Sequence, residues 1–237
     1  MVFLKVSCFF AAINLVVAEY PFQACKKGDY KCMTDQGKKT LNSILKGDKA
    51  YNIPDLTPLL LQNVDLDGSN IKLKLKNLKI FGIENLEIRE IKLDTDKKSG
   101  TVNIFIPNFK MVGDYEMNGK ILILNLNGKG ATNITLVDGT GKWDFTYETY
   151  KKDGEEFAKI KDSKYERGLK RATMYFENLF QGNPELTKST NEVLNSEWQT
   201  VVDTFGDGFV EIIKTILELV LGNYMKAIPI NKFVINS

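Results

Sequence analysis

Hydrophobic residues recur with a helical period toward the end of the chain. Between Thr187 and Ala227 the large apolar side chains fall at Leu194, Trp198, Val201, Val202, Phe205, Phe209, Ile212, Ile213, Ile216, Leu217 and Val220. Steps of three and four residues place them on one face of an α-helix. About 40 residues at ~1.5 Å each make a helix of roughly 60 Å. A compact globule of this chain's length is only about 45 Å across. The predicted helix therefore bends, or the molecule is elongated with a sheet along it. Gly206-Asp207-Gly208 interrupts the stripe after Phe205. That triplet is either a bend or a tolerated weak spot, since two interior glycines cost roughly 1–2 kcal/mol.

The middle of the chain has a different period. Ile71, Leu73 and Leu75 alternate with Lys72, Lys74 and Lys76, the pattern of a half-buried strand. Ile83 to Leu93 continues it, with Leu86 and Ile88 among charged neighbours, and Asp96-Lys97-Lys98-Ser99-Gly100 forms a turn. Val102, Ile104 and Ile106 alternate again before a proline and an asparagine. A further strand is predicted over Tyr115 to Leu126, with a parity shift near Ile121 to Leu124 that indicates a bulge or burial on both faces. Asn127 to Gly130 reads as the next turn. Trp143, Phe145 and Tyr147 share one face of the following strand, and Asp153-Gly154 closes a hairpin onto Phe157 and Ile160. Ala172 to Phe180 fits strand or helix, and Asn183-Pro184 ends it. Ahead of all these, Lys38 to Lys46 reads as a short helix and Tyr51 to Pro58 as extended chain. The order is short helix, many antiparallel strands, long helix. This is an α+β chain with one sheet whose apolar face needs cover. The terminal helix is the one element long enough to supply it.

The first eighteen residues read as a secretory signal peptide rather than as fold. Lys5 precedes the mostly apolar run Val6 to Val17, and Ala18 offers a small residue for cleavage. Residues 19–237 are then expected to form a single domain, outside the cell. Lys and Arg total 32 against 30 Asp and Glu. Near-neutrality argues against a nucleic-acid partner. The most apolar later run, Ile212 to Leu221, is broken by Lys214 and Glu218, so stable membrane insertion is not expected. Lys72, Lys74, Lys76 and Lys79 make a basic strand face that reads as solvated, or more sharply as a weak dock for anionic membranes. Cys8 leaves with the signal, and Cys25 and Cys32 remain in an oxidising compartment, where pairing is the default. Closing so short a loop stabilises by roughly 2–2.5 kcal/mol. Asn133-Ile134-Thr135 is a glycosylation sequon at Asn133.

The chemistry of catalysis is thin. The chain has no histidine, which removes Ser-His-Asp and Cys-His arrangements and the commonest metal ligand. Gly-Lys pairs at Gly37, Gly119, Gly128 and Gly141 do not continue as phosphate loops. Paired carboxylates remain open to acid–base work. No enzyme activity, no cofactor and no metal site is expected.

One resemblance covers essentially the whole mature chain. It is carried by the early cysteine pair, by Ile53-Pro54-Asp55-Leu56-Thr57-Pro58, by Leu73-Lys74-Leu75-Lys76-Asn77-Leu78-Lys79-Ile80-Phe81-Gly82-Ile83, and by Gly113-Asp114-Tyr115 through Gly119-Lys120-Ile121 and Gly128-Lys129-Gly130. The most specific block is Tyr175-Phe176-Glu177-Asn178-Leu179-Phe180-Gln181-Gly182-Asn183, followed by Leu186, Asn191, Leu194-Asn195 and Trp198. In order and spacing these resemble the takeout-like members of the juvenile-hormone-binding protein family, within the wider group of tubular lipid-binding domains. The resemblance implies an elongated fold with a strongly curved antiparallel sheet wrapped around a long C-terminal helix, enclosing a hydrophobic tunnel. Thr57 stands where an aspartate is frequent, and a second disulfide is missing; both departures point to the takeout-like branch.

The implied function is a secreted carrier of a small hydrophobic ligand, such as a terpenoid, a juvenile-hormone-like compound or a fatty compound. A protein receptor is a further partner open to such a carrier. The other reading is a secreted signalling or interaction protein of the same fold without cargo. Expected tunnel-lining residues are Trp198, Val202, Phe205, Phe209, Ile213 and Leu217 from the helix. Trp143, Phe145 and Tyr147 are expected from the sheet, where plain cross-strand packing is the alternative.

Overall fold

A computed structural model describes residues 20–235. The proposed signal peptide lies outside the described residues. Strand β1 (Cys25–Lys26) leads into helix α1 (Tyr30–Ile44), whose first turn is capped by Asp29, with Oδ1 accepting from Cys32 N at 2.9 Å. The Cys25–Cys32 disulfide ties the two elements together. The helix is longer than Lys38 to Lys46 because Gly37 lies inside it rather than before it. A Cβ at Gly37 would collide with Ile91 Cδ1, so the glycine lets α1 close onto the sheet.

Strands β2 (Leu59–Gly68), β3 (Ile71–Phe81), β4 (Glu87–Asp94), β5 (Ser99–Ile121), β6 (Leu124–Lys152), β7 (Glu155–Gly168) and β8 (Arg171–Phe176) form one seven-stranded antiparallel sheet. The two central strands are much longer than their sequence pattern indicated. The expected strand Tyr115 to Leu126 is instead the end of β5, a tight turn at Leu122-Ile123, and the start of β6, with Ile121 facing Leu124. The parity shift there is a hairpin, not a bulge; Leu122 takes φ 53° and Ile123 is 86 % exposed at the tip. Gly128-Lys129-Gly130 is not a turn but mid-strand, because the backbone following β8 crosses over it. A Cβ on Gly128 would lie 2.7 Å from Leu179 Cα.

Both central strands change neighbours at one level. The first half of β5 pairs β4 as far as Phe105, and the second half pairs β3 from Lys110. Pro107 falls between, where its missing N–H costs no ladder bond. Opposite it, β6 passes from β8 (through Val137) to β7 (from Thr140) across Asp138 and Gly139. The result is two half-sheets joined at a waist. A straight strand of the 29 residues in β6 would reach about 95 Å, so β6 must curl.

The C-terminal stripe is one face of successive segments rather than one straight rod: α2 (Pro184–Ser196), α3 (Trp198–Thr204), α4 (Gly206–Leu217), a π-helical turn at Glu218–Gly222, and α5 (Asn223–Ala227). Breaks fall at Glu197 and Phe205, so the Gly206 region is a junction. Gly208 there allows α4 to press onto β2, since its Cβ would meet Leu66 Cα at 3.1 Å. Helix α4 also touches β7, at the opposite end of the strand path from β2. In a flat sheet these two strands would be about 19 Å apart. A helix is only about 10 Å wide, so the sheet curls around it. Strand β9 (Val234–Ile235) returns to pair in parallel with β1.

The lysine-rich face of β3 is not a free basic patch. In register, Lys74 stands between Asp65 and Glu116, and Lys76 Nζ pairs with Glu116 Oε1 at 2.7 Å. Lys79, by contrast, stands in register between Leu60 and Val112.

Candidate ligand-binding site

Two apolar cavities lie between the inner face of the sheet and the helices. The larger, about 180 Å³, is enclosed by α1 (Met33, Gly37, Ile44), β4 (Ile88, Ile91), the neighbouring central strands (Ile104, Trp143, Phe145) and the last helical turns (Ile216, Leu217, Val220, Tyr224). The smaller, about 70 Å³, sits at the waist, against Ile106, Phe109, Gly139, Tyr165, Arg167, Val202, Phe209 and Ile213. Ile83, Leu86, Ile104, Ile216 and Leu217 border both cavities and form a shared wall.

Local sequence explains why space is left at the waist. The inner face of β6 carries Gly139 and Gly141 before the aromatic run begins at Trp143. A side chain is therefore missing at two successive inward positions, where the strands also exchange partners. Tyr165 from β7 lays its ring over Gly141, where a Cβ would collide with it. On the other side of the waist, Trp143 and Phe145 stack with centroids 4.6 Å apart, and Phe145 covers Gly100.

The sequence-predicted residues are distributed unevenly over these walls. Trp143, Phe145 and Leu217 border the larger cavity, and Val202, Phe209, Ile213 and Leu217 the smaller. Phe205 is buried in the main core, outside either lining. Trp198 is half-buried, its ring below the Arg171 guanidinium at 5.8 Å. Tyr147 packs with Trp143 and Phe145 in a second core cluster below the larger cavity. Helix α1 and strand β4 supply much of the larger cavity, and no residue on them was singled out by the helical stripe. The available signal was Met33, Gly37, Leu41 and Ile44, spaced three and four apart, which a helix boundary at Gly37 conceals. Asn133 is exposed on the outer face of β6, between Val112 and Tyr175, away from both cavities.

Among the polar residues bordering the larger cavity are Gln23, Gln36, Thr40 and Lys92, whose Nζ lies 2.8 Å from Glu90 Oε1, and Thr140 and Arg167 border the smaller. Tyr224 Oη contacts Asp48 Oδ2 at 3.5 Å; burial, then the Asp48 charge, raises its phenol above the usual range. Tyr165 is pushed up to about 12 by burial alone. Trp143 Nε1 and Tyr147 Oη are buried without a hydrogen-bond partner among the described residues. Burial also raises Tyr147, to about 12, with Asp94 adding to it. Among the described residues no cluster of three or more His, Cys, Asp or Glu could hold a metal, and no helix is long and apolar enough to cross a membrane.

This arrangement has known counterparts. The sequence model of the haemolymph juvenile hormone binding protein family matches residues 4–235. The chain belongs to this family. Within it, the circadian clock-controlled protein daywake of Drosophila melanogaster is 27% identical over 193 residues, 76% of this chain and 74% of that protein. The juvenile hormone-binding protein of Manduca sexta is 28% identical over 81 residues, 33% of this chain and 35% of its own. The crystal structure of Takeout 1 from Epiphyas postvittana aligns with a TM-score of 0.81 at 25% identity, covering 90% of this chain and 99% of that one. The takeout-like fold expected from the sequence is thus the fold of the family.

Proposed function

We propose that this protein is a carrier that encloses a small hydrophobic ligand between the curled sheet and its C-terminal helix. The supporting observation is the pair of adjoining apolar cavities with one shared wall. Ligand sites are concave and mostly apolar, with a few polar groups, and these walls fit that description. Affinity would come from apolar area removed from water, about 25 cal/mol per Å² before ordering costs. The shared wall is made of aliphatic side chains, which change rotamer more readily than a backbone moves. Parting them would join the cavities into one elongated tunnel. The name of the Manduca sexta relative favours an isoprenoid or fatty cargo. With the signal peptide at residues 1–18 and a single domain over 19–237, the carrier would work outside the cell. Asn133 would there accept a glycan, on a face that leaves both cavities clear.

The test is uptake of a fluorescent fatty probe. Phe209→Asp places a charge in the smaller cavity and is expected to abolish uptake, because an unpaired carboxylate in an apolar site costs several kcal/mol. Leu60→Asp, at an exposed position on β2, is expected to leave uptake unchanged. Equal uptake by the wild type and Phe209→Asp would contradict the assignment.

A further inference from the structure

The β5–β6 hairpin closes through two residues, Leu122 and Ile123, between the paired Ile121 and Leu124. Loops of this length favour glycine or asparagine wherever φ is positive. Here Leu122 takes φ 53°. Its side chain, like that of Leu124, packs against the main core. Ile123 does not: it is 86 % exposed, the most of any large apolar residue described. A leucine in the left-handed region beside a bare isoleucine breaks two local rules at one turn. Such breaks gather at functional sites.

The turn also projects. Strand β3 leaves β5 at Gly119, opposite Ile71, and the other flank of β6 meets Phe180 at Asn127. The hairpin therefore runs on about 10 Å beyond both flanks. Behind Ile123 lies a shallow polar hollow of about 540 Å³, lined by Asn70, Asn118, Asn125, Asn127 and Lys120. All five residues are exposed. Lys120 N donates to Asn70 O at 2.8 Å, which ties the β2–β3 turn to the hollow. Further back the lysines stand opposite acidic residues in register, Lys72 with Asp67 and Lys74 with Asp65 and Glu116. Lys120 faces Asn125 instead, and it is the one charged residue in the hollow.

Shape and charge together select a partner. A specific protein interface covers about 800 Å² on each side, and one side chain on the end of a finger offers far less. A bilayer accepts a point contact, and its head groups supply the phosphates that a lysine and amide N–H donors receive. We propose that this hairpin tip docks the protein on a phospholipid bilayer, with Ile123 entering the acyl boundary and Lys120 and the four carboxamides at the level of the head groups. Apolar insertion and attraction to anionic lipid add in such docking. With one inserted side chain and one unmatched charge, the contact is weak and reversible. Ile123 and Lys120 line neither apolar cavity, so docking holds with or without cargo.

Co-sedimentation with vesicles at millimolar lipid tests the proposal, one set of phosphatidylcholine and one of phosphatidylcholine and phosphatidylglycerol in equal parts. The wild type is expected on both sets and more strongly on the anionic one. Ile123→Asp should lower partitioning into both at least about tenfold, with melting unchanged because the position is exposed. Lys120→Gln should lower binding to the anionic set about fivefold and leave the other set unchanged. Leu60→Asp, at an exposed position on β2, should change neither. Equal binding by the wild type and Ile123→Asp, equal losses in Ile123→Asp and Leu60→Asp, or no loss from the anionic set in Lys120→Gln would overturn the proposal. So would a wild type that binds neither set, or one whose tip instead joins two chains in a dimer that Ile123→Asp dissociates.

Discussion

Replacing Asn191 by alanine tests how the sheet's free edge is closed. Strand β8 pairs with β6 on one side only. On its other side helix α2 presents Asn191 and Asn195, one turn apart. Asn191 Oδ1 accepts from Phe176 N at 2.9 Å while its Nδ2 donates to Phe176 O at 2.9 Å. Asn195 repeats this with Met174, at 2.9 and 2.6 Å. The two side-chain amides thus act as a surrogate strand along the exposed edge. Phe176 is only 2 % exposed and Asn191 6 %, so water does not readily take their place. Asn191→Ala strands a buried N–H and a buried C=O, each at about 1–3 kcal/mol. Alanine's better helix propensity returns about 0.6 kcal/mol. The expected net loss is about 3 kcal/mol, read as a shift in urea midpoint at constant slope. Hydrogen exchange should accelerate at the Phe176 amide before the rest of the sheet opens. A loss below about 0.5 kcal/mol with unchanged Phe176 protection would refute the surrogate-strand argument.

Two further consequences are open to direct measurement. Gly128→Ala should destabilise by about 1–3 kcal/mol, because the new methyl meets Leu179 Cα and Tyr115 Oη, each at 2.7 Å; a urea midpoint equal to the wild type's would show that the crossing backbone yields freely. Asp94 is held below the usual aspartate range by the backbone N–H of Lys97 first; burial opposes this, and the N–H of Asp96 and the charges of Lys97 and Lys27 add to the lowering. Because the folded-state value is the lower one, this contribution to stability is present above about pH 4 and is lost as pH falls through the folded-state value. Carboxyl titration by NMR should find Asp94 depressed, and Asp94→Asn should flatten that part of the stability profile; an ordinary titration would contradict the turn geometry.

Much of the fold is legible along the chain, and the misreadings share one cause. Alternation at Ile71 to Leu75 and at Trp143 to Tyr147 marks strands because each has one face inward. The glycines at 37, 128 and 130 read as boundaries, yet two lie inside a strand and one inside a helix. Each is there because another segment passes close by, which is a tertiary fact without a local signature. Conversely the real β5–β6 turn has no glycine and uses Leu122 at positive φ. The helix junctions at Glu197 and Phe205 keep the apolar face in phase, so spacing alone does not reveal them. The cavity is legible only in part for the same reason. The helical stripe names the wall that α4 supplies, while α1, β4 and Tyr165 join it through pairings far apart in sequence.

The central claim is that the space between helix and sheet is built for cargo. Native mass spectrometry of the protein secreted from insect cells weighs that cargo directly. A discrete added mass, released by organic solvent and matching an apolar molecule, is the result predicted here. A chain of unmodified mass before and after extraction, which also takes up no such molecule on incubation, would contradict it.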